Sequence, residues 1–204
     1  MESIYGKYRQ NLIDIMDDFK TKLEDYNKEY KTNGIKIFEH ISSRLKSENS
    51  IRDKCRRKGI PENEYSALYI IKDAIGIRVV SSFIDDVYTI SNFVKTLDNC
   101  KIIEEKDYIK HAKQNGYRSY HMILAVEAPY EDVNGMIPGE FYIELQIRTI
   151  AMDTWASLEH QLKYKKNIAN QEIIVDELKR VADELASCDI SMQTIRSLIK
   201  YFTK

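Results

Sequence analysis

The 204-residue sequence is poor in residues that interrupt secondary structure, with only seven Gly and three Pro. We therefore expect few long loops. Its three cysteines, Cys55, Cys100 and Cys188, are odd in number and far apart, so they predict neither a disulfide framework nor a zinc site. No apolar run approaches the roughly 20 residues of a membrane span, and the N-terminus, MESIYGKYRQ, lacks the apolar segment of a secretory signal. A reduced, cytoplasmic protein with no membrane partner is the simplest interpretation.

Charge of one sign is also lacking, since 31 basic and 32 acidic residues leave a net charge of −1. This excludes a uniformly basic nucleic-acid-binding surface but allows a local basic patch. Neither G-x-x-x-x-G-K-[ST] nor G-x-G-x-x-G occurs, so a P-loop and a Rossmann site are unsupported. No His-Asp dipeptide occurs either, which argues against the usual metal-dependent phosphohydrolase motif. The 43% of hydrophobic residues is normal for a globular chain and excludes disorder as its main state.

The spacing of apolar residues predicts an α/β or α+β domain. Helical spacing covers residues 3–31, 36–47, 62–71, 85–98, 149–164 and 171–202. Strand patterns cover 74–80, 100–109, 118–127 and 140–148, with a loop at 128–139. Because most of these strands follow one another without a helix between them, we expect a mixed or antiparallel sheet of four or five strands.

A basic segment spans residues 44–58, where seven basic and two acidic residues give a local charge of +5. Ser50, Lys54 and Arg57 follow at steps of four and three, which places them on one face of a helix. Basic groups on such a face could bind a polyphosphate. A solvated helix face or an RNA-binding patch would have the same composition.

Asp73 stands at the start of a buried strand that also contains Arg78. A carboxylate there could bind Mg²⁺, or it could cap an ordinary turn. Arg78 lies within an apolar run and therefore needs a partner or a ligand. The two residues have opposite parity, so a regular strand beginning at 73 would direct them to opposite faces. Either Asp73 precedes the strand or Gly76 marks a bulge.

Two later segments combine aromatic and polar residues on one strand face. Tyr117, Ser119 and His121 share a face if they lie in a strand, and could stack on a base and bind phosphate. Along 141–148 the residues alternate, and Tyr142, Glu144, Gln146 and Arg148 lie opposite the apolar set. That face could form the floor of a nucleotide site, or it could simply face solvent in an antiparallel sheet.

Taken in order, these motifs resemble the synthetase domain of RelA/SpoT homologues, and most of all the small alarmone synthetases of the RelQ type. The resemblance rests on Arg44-x-Lys46, Ser50-Ile51 and Lys54, on Asp73-Ala74-Ile75-Gly76-Ile77-Arg78, on Lys106-Asp107-Tyr108-Ile109, on Lys113 and Asn115-Gly116-Tyr117-Arg118-Ser119-Tyr120-His121, and on Glu144-Leu145-Gln146-Ile147-Arg148-Thr149 and Trp155-Ala156-Ser157-Leu158-Glu159-His160. It extends from about residue 36 to residue 166.

The resemblance implies a nucleotidyltransferase-like fold that transfers pyrophosphate from ATP to the ribose 3′-hydroxyl of GDP, GTP or GMP and releases AMP. It implies that Asp73 and Glu144 hold Mg²⁺ and that Glu144 is also the general base. It assigns ATP to Arg44, Lys46, Ser50, Lys54, Arg57 and Arg78. It assigns the guanine nucleotide to Lys106, Lys113, Asn115, Tyr117, Ser119, His121, Gln146 and Arg148.

The expected organisation is an N-terminal helix over 1–35, a synthetase domain over 36–166 and a helical extension over 167–204. By resemblance the chain forms a homotetramer, with (p)ppGpp or single-stranded RNA as candidate allosteric ligands, and it synthesises alarmone without hydrolysing it. Two alternatives stay open: a non-catalytic RNA-binding or regulatory module on the same fold, and a toxin that pyrophosphorylates the 3′ end of tRNA. Asp73 and Glu144 weigh against the first, because both would repel RNA.

Overall fold

The computed structural model describes residues 3–30, 36–163 and 171–203. The described residues form five α-helices: α1 Arg9–Tyr30, α2 Glu48–Lys58, α3 Ile84–Lys95, α4 Ile150–Lys163 and α5 Gln171–Phe202. They also form five strands: β1 His40–Leu45, β2 Ile75–Ser81, β3 Cys100–Asp107, β4 Tyr120–Ala128 and β5 Gly139–Thr149. A 3₁₀ turn over Gly6–Tyr8 leads into α1, and a π-helical turn over Ser66–Ile70 precedes β2.

The five strands form one mixed sheet in the order β1-β2-β5-β4-β3. β2 and β5 run parallel at its centre, and every other neighbouring pair is antiparallel. A parallel pair needs a long crossover, which α3, β3 and β4 supply. The predicted α+β class with a mixed sheet is therefore confirmed.

The alternation of side chains gives the sheet one apolar face and one polar face. On β2 and β5 the odd-numbered residues, such as Ile77 and Leu145, are buried in the main core. Helices α1 and α3 cover this face, and the rings of Tyr26 and Phe93 stack between them with centroids 3.8 Å apart. The even-numbered side chains project from the other face, where the candidate site lies. None of the helices in the described part of the chain is long and apolar enough to cross a membrane.

Most of the predicted elements are present. The helix predicted over 3–31 is present as the 3₁₀ turn and α1, the strand predicted over 74–80 is β2, and the helix predicted over 171–202 is α5. The Asn33-Gly34 helix end lies outside the described residues, since 31–35 are not described. Both predicted domain boundaries, after residues 35 and 166, also adjoin or lie within segments outside the description, and the division into domains stays a prediction.

The helix predicted over 36–47 is wrong, because His40–Leu45 forms the edge strand β1. β1 pairs antiparallel with β2, so that Arg44 lies opposite Gly76. Pairing with the open edge of β2 satisfies the backbone of this segment and outweighs its local helical spacing. The helix predicted over 62–71 is present but shorter, over 64–70, and its last five residues, Ser66–Ile70, are π-helical.

Candidate active site

A cleft of about 210 Å³ lies on the polar face of β1, β2 and β5. It is lined by Ser42, Ser43, Arg44, Lys46, Gly76, Ile77, Arg78, Glu144 and Gln146. Gly76 pairs with Arg44 on one side and with Glu144 on the other, so these three positions form one row across the sheet. A Cβ atom at Gly76 would meet only the Arg44 carbonyl oxygen, at 3.8 Å, so the glycine leaves an open floor between two charged side chains.

Two carboxylates and two lysines meet at one end of this cleft. Lys46 Nζ lies 2.6 Å from Asp73 Oδ2 and 3.0 Å from Glu144 Oε2, and Lys54 Nζ also contacts Asp73 Oδ2. Asp73 is only 5% exposed. Burial of Asp73, with Glu144 half-buried beside it, is tolerated here because the ammonium groups compensate the negative charge. The structure thus brings together, from distant parts of the chain, the two carboxylates that the resemblance assigns to one site.

The backbone before β2 explains how Asp73 and Arg78, which have opposite parity, can lie on the same face of the sheet. β2 begins at Ile75 and pairs in regular register with β5, so Asp73 precedes the strand and Gly76 marks no bulge. Lys72 adopts a left-handed conformation with φ of 57°, which is uncommon for a residue other than glycine. Its ammonium lies 4.7 Å from the centre of the Tyr142 ring. This bend directs the Asp73 side chain towards the polar face.

The carboxylate pair fits a magnesium ion. Asp73 Oδ1 is buried and has no hydrogen-bond partner among the described residues, so it can accept a further cation. No cluster of three or more His, Cys, Asp or Glu that could hold a metal occurs within the described ranges. Mg²⁺ nevertheless needs only one or two protein carboxylates, because water and substrate phosphates complete its shell. Asp73 and Glu144 satisfy that requirement.

The lysine side of the cleft comprises Arg44, Lys46, Lys54, Asp73 and Arg78. Arg44 and Arg78 lie on adjacent strands, two residue pairs apart in the register. Arg78 Nη1 lies 3.3 Å from Asp153 Oδ1, and Arg78 Nε is buried without a hydrogen-bond partner among the described residues. A donor left unpaired in a cleft indicates a position that a ligand would occupy.

Helix α2 holds the rest of the predicted ATP residues at the margin of this side. Ser47 caps the helix by accepting a bond from Ser50 N at 3.3 Å, and its hydroxyl lies 2.8 Å from that of Ser50. Lys54, one turn further, reaches Asp73. Arg57 is exposed and does not line the cleft in the described structure. The helix therefore brings Lys54 to the carboxylates but leaves Ser50 and Arg57 exposed and outside the lining of the cleft.

The N-terminal segment braces the same side. The Tyr5 hydroxyl donates a 2.7 Å bond to the Lys46 carbonyl oxygen, and Ser3 donates to Glu48 at 2.7 Å. Tyr5 is buried, and burial raises the pKa of its hydroxyl well above the ordinary value. The segment thereby holds the backbone just before α2 and the side chain of the first residue of that helix.

Next to the lining residue Gln146 lies a cluster of Lys113, Tyr117, His121 and Arg148, which we call the aromatic side of the cleft. Arg148 Nη2 donates to the Tyr117 hydroxyl at 2.8 Å, and that hydroxyl lies 2.7 Å from His121 Nε2. Because Arg148 can only donate, the Tyr117 proton is available to His121 Nε2 as the acceptor. Burial, reinforced by the positive charges of Arg148, Lys113 and Lys106 against an opposing effect of Glu144, lowers the pKa of His121 to about 4. The imidazole is therefore neutral at pH 7, as an acceptor must be.

Lys113 covers the rings on this side. Its ammonium lies 4.9 Å from the centre of the Tyr117 ring and 4.6 Å from that of Tyr108. Tyr117 also meets Trp155 edge to face, with centroids 6.2 Å apart. Cation–π contact of this kind is worth about 0.5–1 kcal/mol at an exposed site, so an incoming base can displace the ammonium.

The remaining predicted acceptor residues divide into two groups. Gln146 lines the cleft and accepts from Arg148 Nη2 at 2.8 Å. Ser119 and Asn115 point into the protein, where Ser119 Oγ accepts from Arg148 Nε at 3.3 Å and Asn115 Nδ2 donates to Glu159 at 3.2 Å. Lys106 pairs with Glu104 at 2.8 Å at the edge of the sheet. Ser119 and Asn115 thus support the site rather than face it.

The loop that presents Tyr117 is held by α5. Gly116 has φ of +87°, and a Cβ atom there would lie 2.5 Å from Ala182 Cβ, so both backbone and packing require glycine. Arg118 donates to the Ala182 carbonyl at 3.3 Å and pairs with Asp183 at 3.0 Å.

Sequence reasoning misses two residues at the site. Asp153 contacts both Arg78 and Arg148, although no motif assigns it a role. Tyr108 belongs to one of the motifs, and its ring contacts Tyr117 and His121 without a predicted function. The signal for Asp153 is its place in the first turn of a helix, five residues after Arg148. Its second partner, Arg78, becomes visible only once β2 and β5 pair.

The sequence comparisons agree with this geometry. Residues 43–169 match the family described as a region found in RelA and SpoT proteins. GTP pyrophosphokinase YwaC of Bacillus subtilis is 39% identical over 183 residues, which cover 89% of this chain and 85% of that protein. GTP pyrophosphokinase YjbM of the same organism is 31% identical over 195 residues, which cover 95% of this chain and 87% of that protein.

Solved structures support the same relationship. The crystal structure of small alarmone synthetase 1 from B. subtilis with its product pppGpp has a TM-score of 0.81 at 29% identity, covering 92% of this chain and 94% of that one. That of small alarmone synthetase 2 from B. subtilis has a TM-score of 0.77 at 38% identity, covering 89% and 93%. The fold implied by the resemblance is thereby confirmed, and the chain belongs to the RelA/SpoT family.

Proposed function

We propose that this chain synthesises alarmones, by transferring pyrophosphate from ATP to the ribose 3′-hydroxyl of GDP or GTP to produce ppGpp or pppGpp and AMP. The observation on which the proposal chiefly rests is the pair of carboxylates, Asp73 and Glu144, that Lys46 joins at one end of a basic cleft. Relatives similar over most of the chain are GTP pyrophosphokinases by name. A binder of RNA phosphates would gain nothing from one buried and one half-buried carboxylate in its basic cleft.

In this reaction the acceptor 3′-oxygen forms a bond to the β-phosphorus of ATP. The bond from that phosphorus to the oxygen bridging the α- and β-phosphates breaks, and AMP leaves with that oxygen. Glu144 lies on the central strand between the two sides of the cleft, and it accepts the proton of the 3′-hydroxyl. Asp73 and Glu144 would together hold Mg²⁺, which when bound neutralises charge on the phosphates.

The lysines of the cleft have two sets of partners in this proposal. In the structure, Lys46 and Lys54 neutralise Asp73 and Glu144. When ATP binds, their ammonium groups turn to its phosphates, and Arg44 and Arg78 hold the adenine from the neighbouring strands. Ser50, in the first turn of α2, and Arg57, near its end, would contact the outer phosphates.

On the aromatic side, Tyr117 stacks on the guanine after Lys113 has moved away from its ring. Gln146 and His121 face the acceptor nucleotide, while Lys106 approaches its phosphates from the edge of the sheet. Ser119, Asn115 and Arg148 keep the Tyr117 loop in place. Two nucleotides held in this way meet at Glu144, which meets the requirement that the reacting oxygen and phosphorus be aligned.

Assembly is a further part of the proposal. The second half of α5 exposes a set of large apolar side chains: Ile190, Met192, Ile195, Leu198, Ile199, Tyr201 and Phe202. Phe202 is 77% exposed. We expect this surface to be covered in a homotetramer, with (p)ppGpp or single-stranded RNA as candidate allosteric ligands. A monomeric mass by light scattering would contradict the tetramer.

The proposed setting is the cytoplasm, where ATP and GTP are available. All three cysteines are free thiols, which agrees with a reducing compartment. The sequence contains no His-Asp dipeptide, and we propose that this chain makes alarmone without hydrolysing it.

The deciding experiment incubates the purified protein with Mg²⁺, ATP labelled in the γ-phosphate, and GMP, GDP, GTP or tRNA in parallel. Label on a guanine nucleotide, together with stoichiometric AMP, is the expected result, and the relative rates rank the acceptors. Label on tRNA alone would replace the proposal by the toxin alternative. A folded sample that binds ATP but labels none of the four acceptors would contradict catalysis and favour the regulatory module.

A further inference from the structure

One carboxylate oxygen lies between guanidinium groups from both sides of the cleft. Asp153 Oδ1 is 3.3 Å from Arg78 Nη1 and 3.0 Å from Arg148 Nη1. Asp153 belongs to the first turn of α4, and its side chain is 19% exposed. A partly buried carboxylate that accepts a hydrogen bond from one arginine and forms an ion pair with a second can hold both in place.

Arg78 depends on this contact for its orientation. It lies on the floor of the cleft, and its Nε has no hydrogen-bond partner within the described residues. Its side chain is more exposed than that of Arg148, at 37% against 6%. The ion pair with Asp153 is thus the contact that holds the partly exposed guanidinium group of Arg78 in position.

Arg148 connects Asp153 to the aromatic side of the cleft. Its guanidinium donates to Ser119, Gln146 and Tyr117 in addition to Asp153. The Tyr117 hydroxyl in turn meets His121 at 2.7 Å. A displacement of Asp153 therefore acts on the Tyr117 ring through one intervening side chain.

We propose that Asp153 is a positioning residue that sets the separation between the two bound nucleotides, by holding Arg78 on the ATP side and Arg148 on the acceptor side with one oxygen. The inference rests on the proposed function and adds a residue to it. Without the carboxylate the two like-charged guanidiniums would repel each other, because each lies within hydrogen-bonding distance of the same atom. In-line transfer is sensitive to displacements of about 1 Å, so the effect would reach the chemical step as well as binding.

The test varies ATP and GDP independently in steady-state assays of the full chain carrying Asp153→Asn. The amide preserves the shape but not the charge, so we expect both KM values to rise about fivefold and kcat to fall about tenfold. Asp85→Asn is the matched control, because Asp85 also lies in the first turn of its helix and its carboxylate accepts from the neutral Gln193. We expect that variant to stay within about twofold of the wild type in every constant.

Asp153→Glu separates positioning from general stability. It retains the charge but moves the carboxylate, so we expect both KM values to recover towards the wild type while kcat remains reduced. A rise in only one KM, or no change in either with Asp153→Asn, would overturn the inference. Calorimetric titration with a non-transferable ATP analogue, alone and with GDP, decides the question if neither variant turns over: unchanged affinity for both nucleotides would also overturn it.

The wild-type assay distinguishes this failure from failure of the proposed function. If the wild type transfers label to GDP and Asp153→Asn does so with unaltered constants, only the role of Asp153 is wrong. If the wild type labels no guanine nucleotide, the proposed function fails, and the titrations alone decide whether Asp153 links the two sides.

Discussion

On the lysine side of the cleft the charged groups neutralise one another, whereas on the aromatic side they orient a ring. Lys46 and Lys54 both contact Asp73, and Lys46 also reaches Glu144. On the other side Arg148 makes four hydrogen bonds, one of which fixes Tyr117. Ion pairs between lysines and carboxylates can be exchanged for a ligand, whereas the hydrogen bonds of Arg148 already orient the Tyr117 ring.

This difference predicts where each nucleotide's binding energy is used. ATP has to replace internal ion pairs, so part of its favourable interaction offsets their loss. The acceptor meets a ring that is already positioned, and it displaces only the Lys113 ammonium from that ring. Substitutions on the lysine side should therefore act through charge, and substitutions on the aromatic side through geometry.

The largest effect is expected from neutralising either carboxylate. Asp73→Asn and Glu144→Gln should each reduce kcat about a thousandfold or more, because they remove the proposed metal ligands and the base. Each variant should still fold, since loss of charge leaves shape and most contacts unchanged. Glu140→Gln is the control, because Glu140 lies on the same strand and face as Glu144 but is exposed and bonds to Tyr142. Activity of either cleft variant near that of the control would remove its residue from the proposed role.

Tyr117 tests the aromatic side in two steps. Tyr117→Ala removes the ring, and the acceptor KM should rise about tenfold, since stacking on a base is worth about 1–3 kcal/mol. Tyr117→Phe keeps the ring but loses the bonds to His121 and Arg148, so a rise of about two- to threefold measures prearrangement alone. The KM for ATP should remain at the wild-type value in both. Equal effects of the two variants would mean that the hydroxyl network, rather than the ring, binds the acceptor.

His121 gives the aromatic side a dependence on pH. Its pKa in the fold is about 4, below the ordinary 6.5, so the unfolded chain binds the proton more readily. The resulting stability is present above about pH 6.5 and is lost as the pH falls towards 4. We expect this group to contribute about 1–2 kcal/mol to the fall in unfolding free energy between pH 7 and pH 5. Denaturant titrations at several pH values give the unfolding free energy as a function of pH. Between pH 7 and pH 5 this free energy should fall more steeply for the wild type than for His121→Asn. Parallel plots for the two proteins would contradict a neutral buried imidazole.

The charged motifs could be predicted from sequence because each is local. The basic face of α2 and the alternation of β5 repeat at short steps, and the structure retains both. β1 could not be recognised, because Ile37, Ile41 and Leu45 recur at a helical interval and the partner that makes the segment a strand lies about thirty residues away. The local pattern favours a helix, whereas pairing with β2 requires a strand, and the pairing determines the structure.

Asp153 was missed for a related reason. Its two partners stand on strands that are distant in sequence, and the parallel pairing of β2 with β5 brings Arg78 beside Gln146 and within reach of α4. The same pairing explains why Arg148 and Ser119, predicted to face the acceptor, instead bond to each other and orient Tyr117. A motif indicates which residue types a site requires, but the division between ligand contact and support depends on how the strands align.

The smallest effect, and the most selective, is expected from Gly76→Ala. The new methyl group would meet only the Arg44 carbonyl oxygen at 3.8 Å, so the fold should keep its stability. It would nevertheless stand on the floor between Arg44 and Arg78, where the adenine is proposed to lie. We expect the KM for ATP to rise about two- to fivefold with the acceptor KM unchanged, a change of about 0.5–1 kcal/mol. An equal rise in both KM values would mean that both nucleotides contact this part of the floor. The lysine side, where ion pairs are exchanged, and the aromatic side, where the ring is already oriented, would then not be separate at β2.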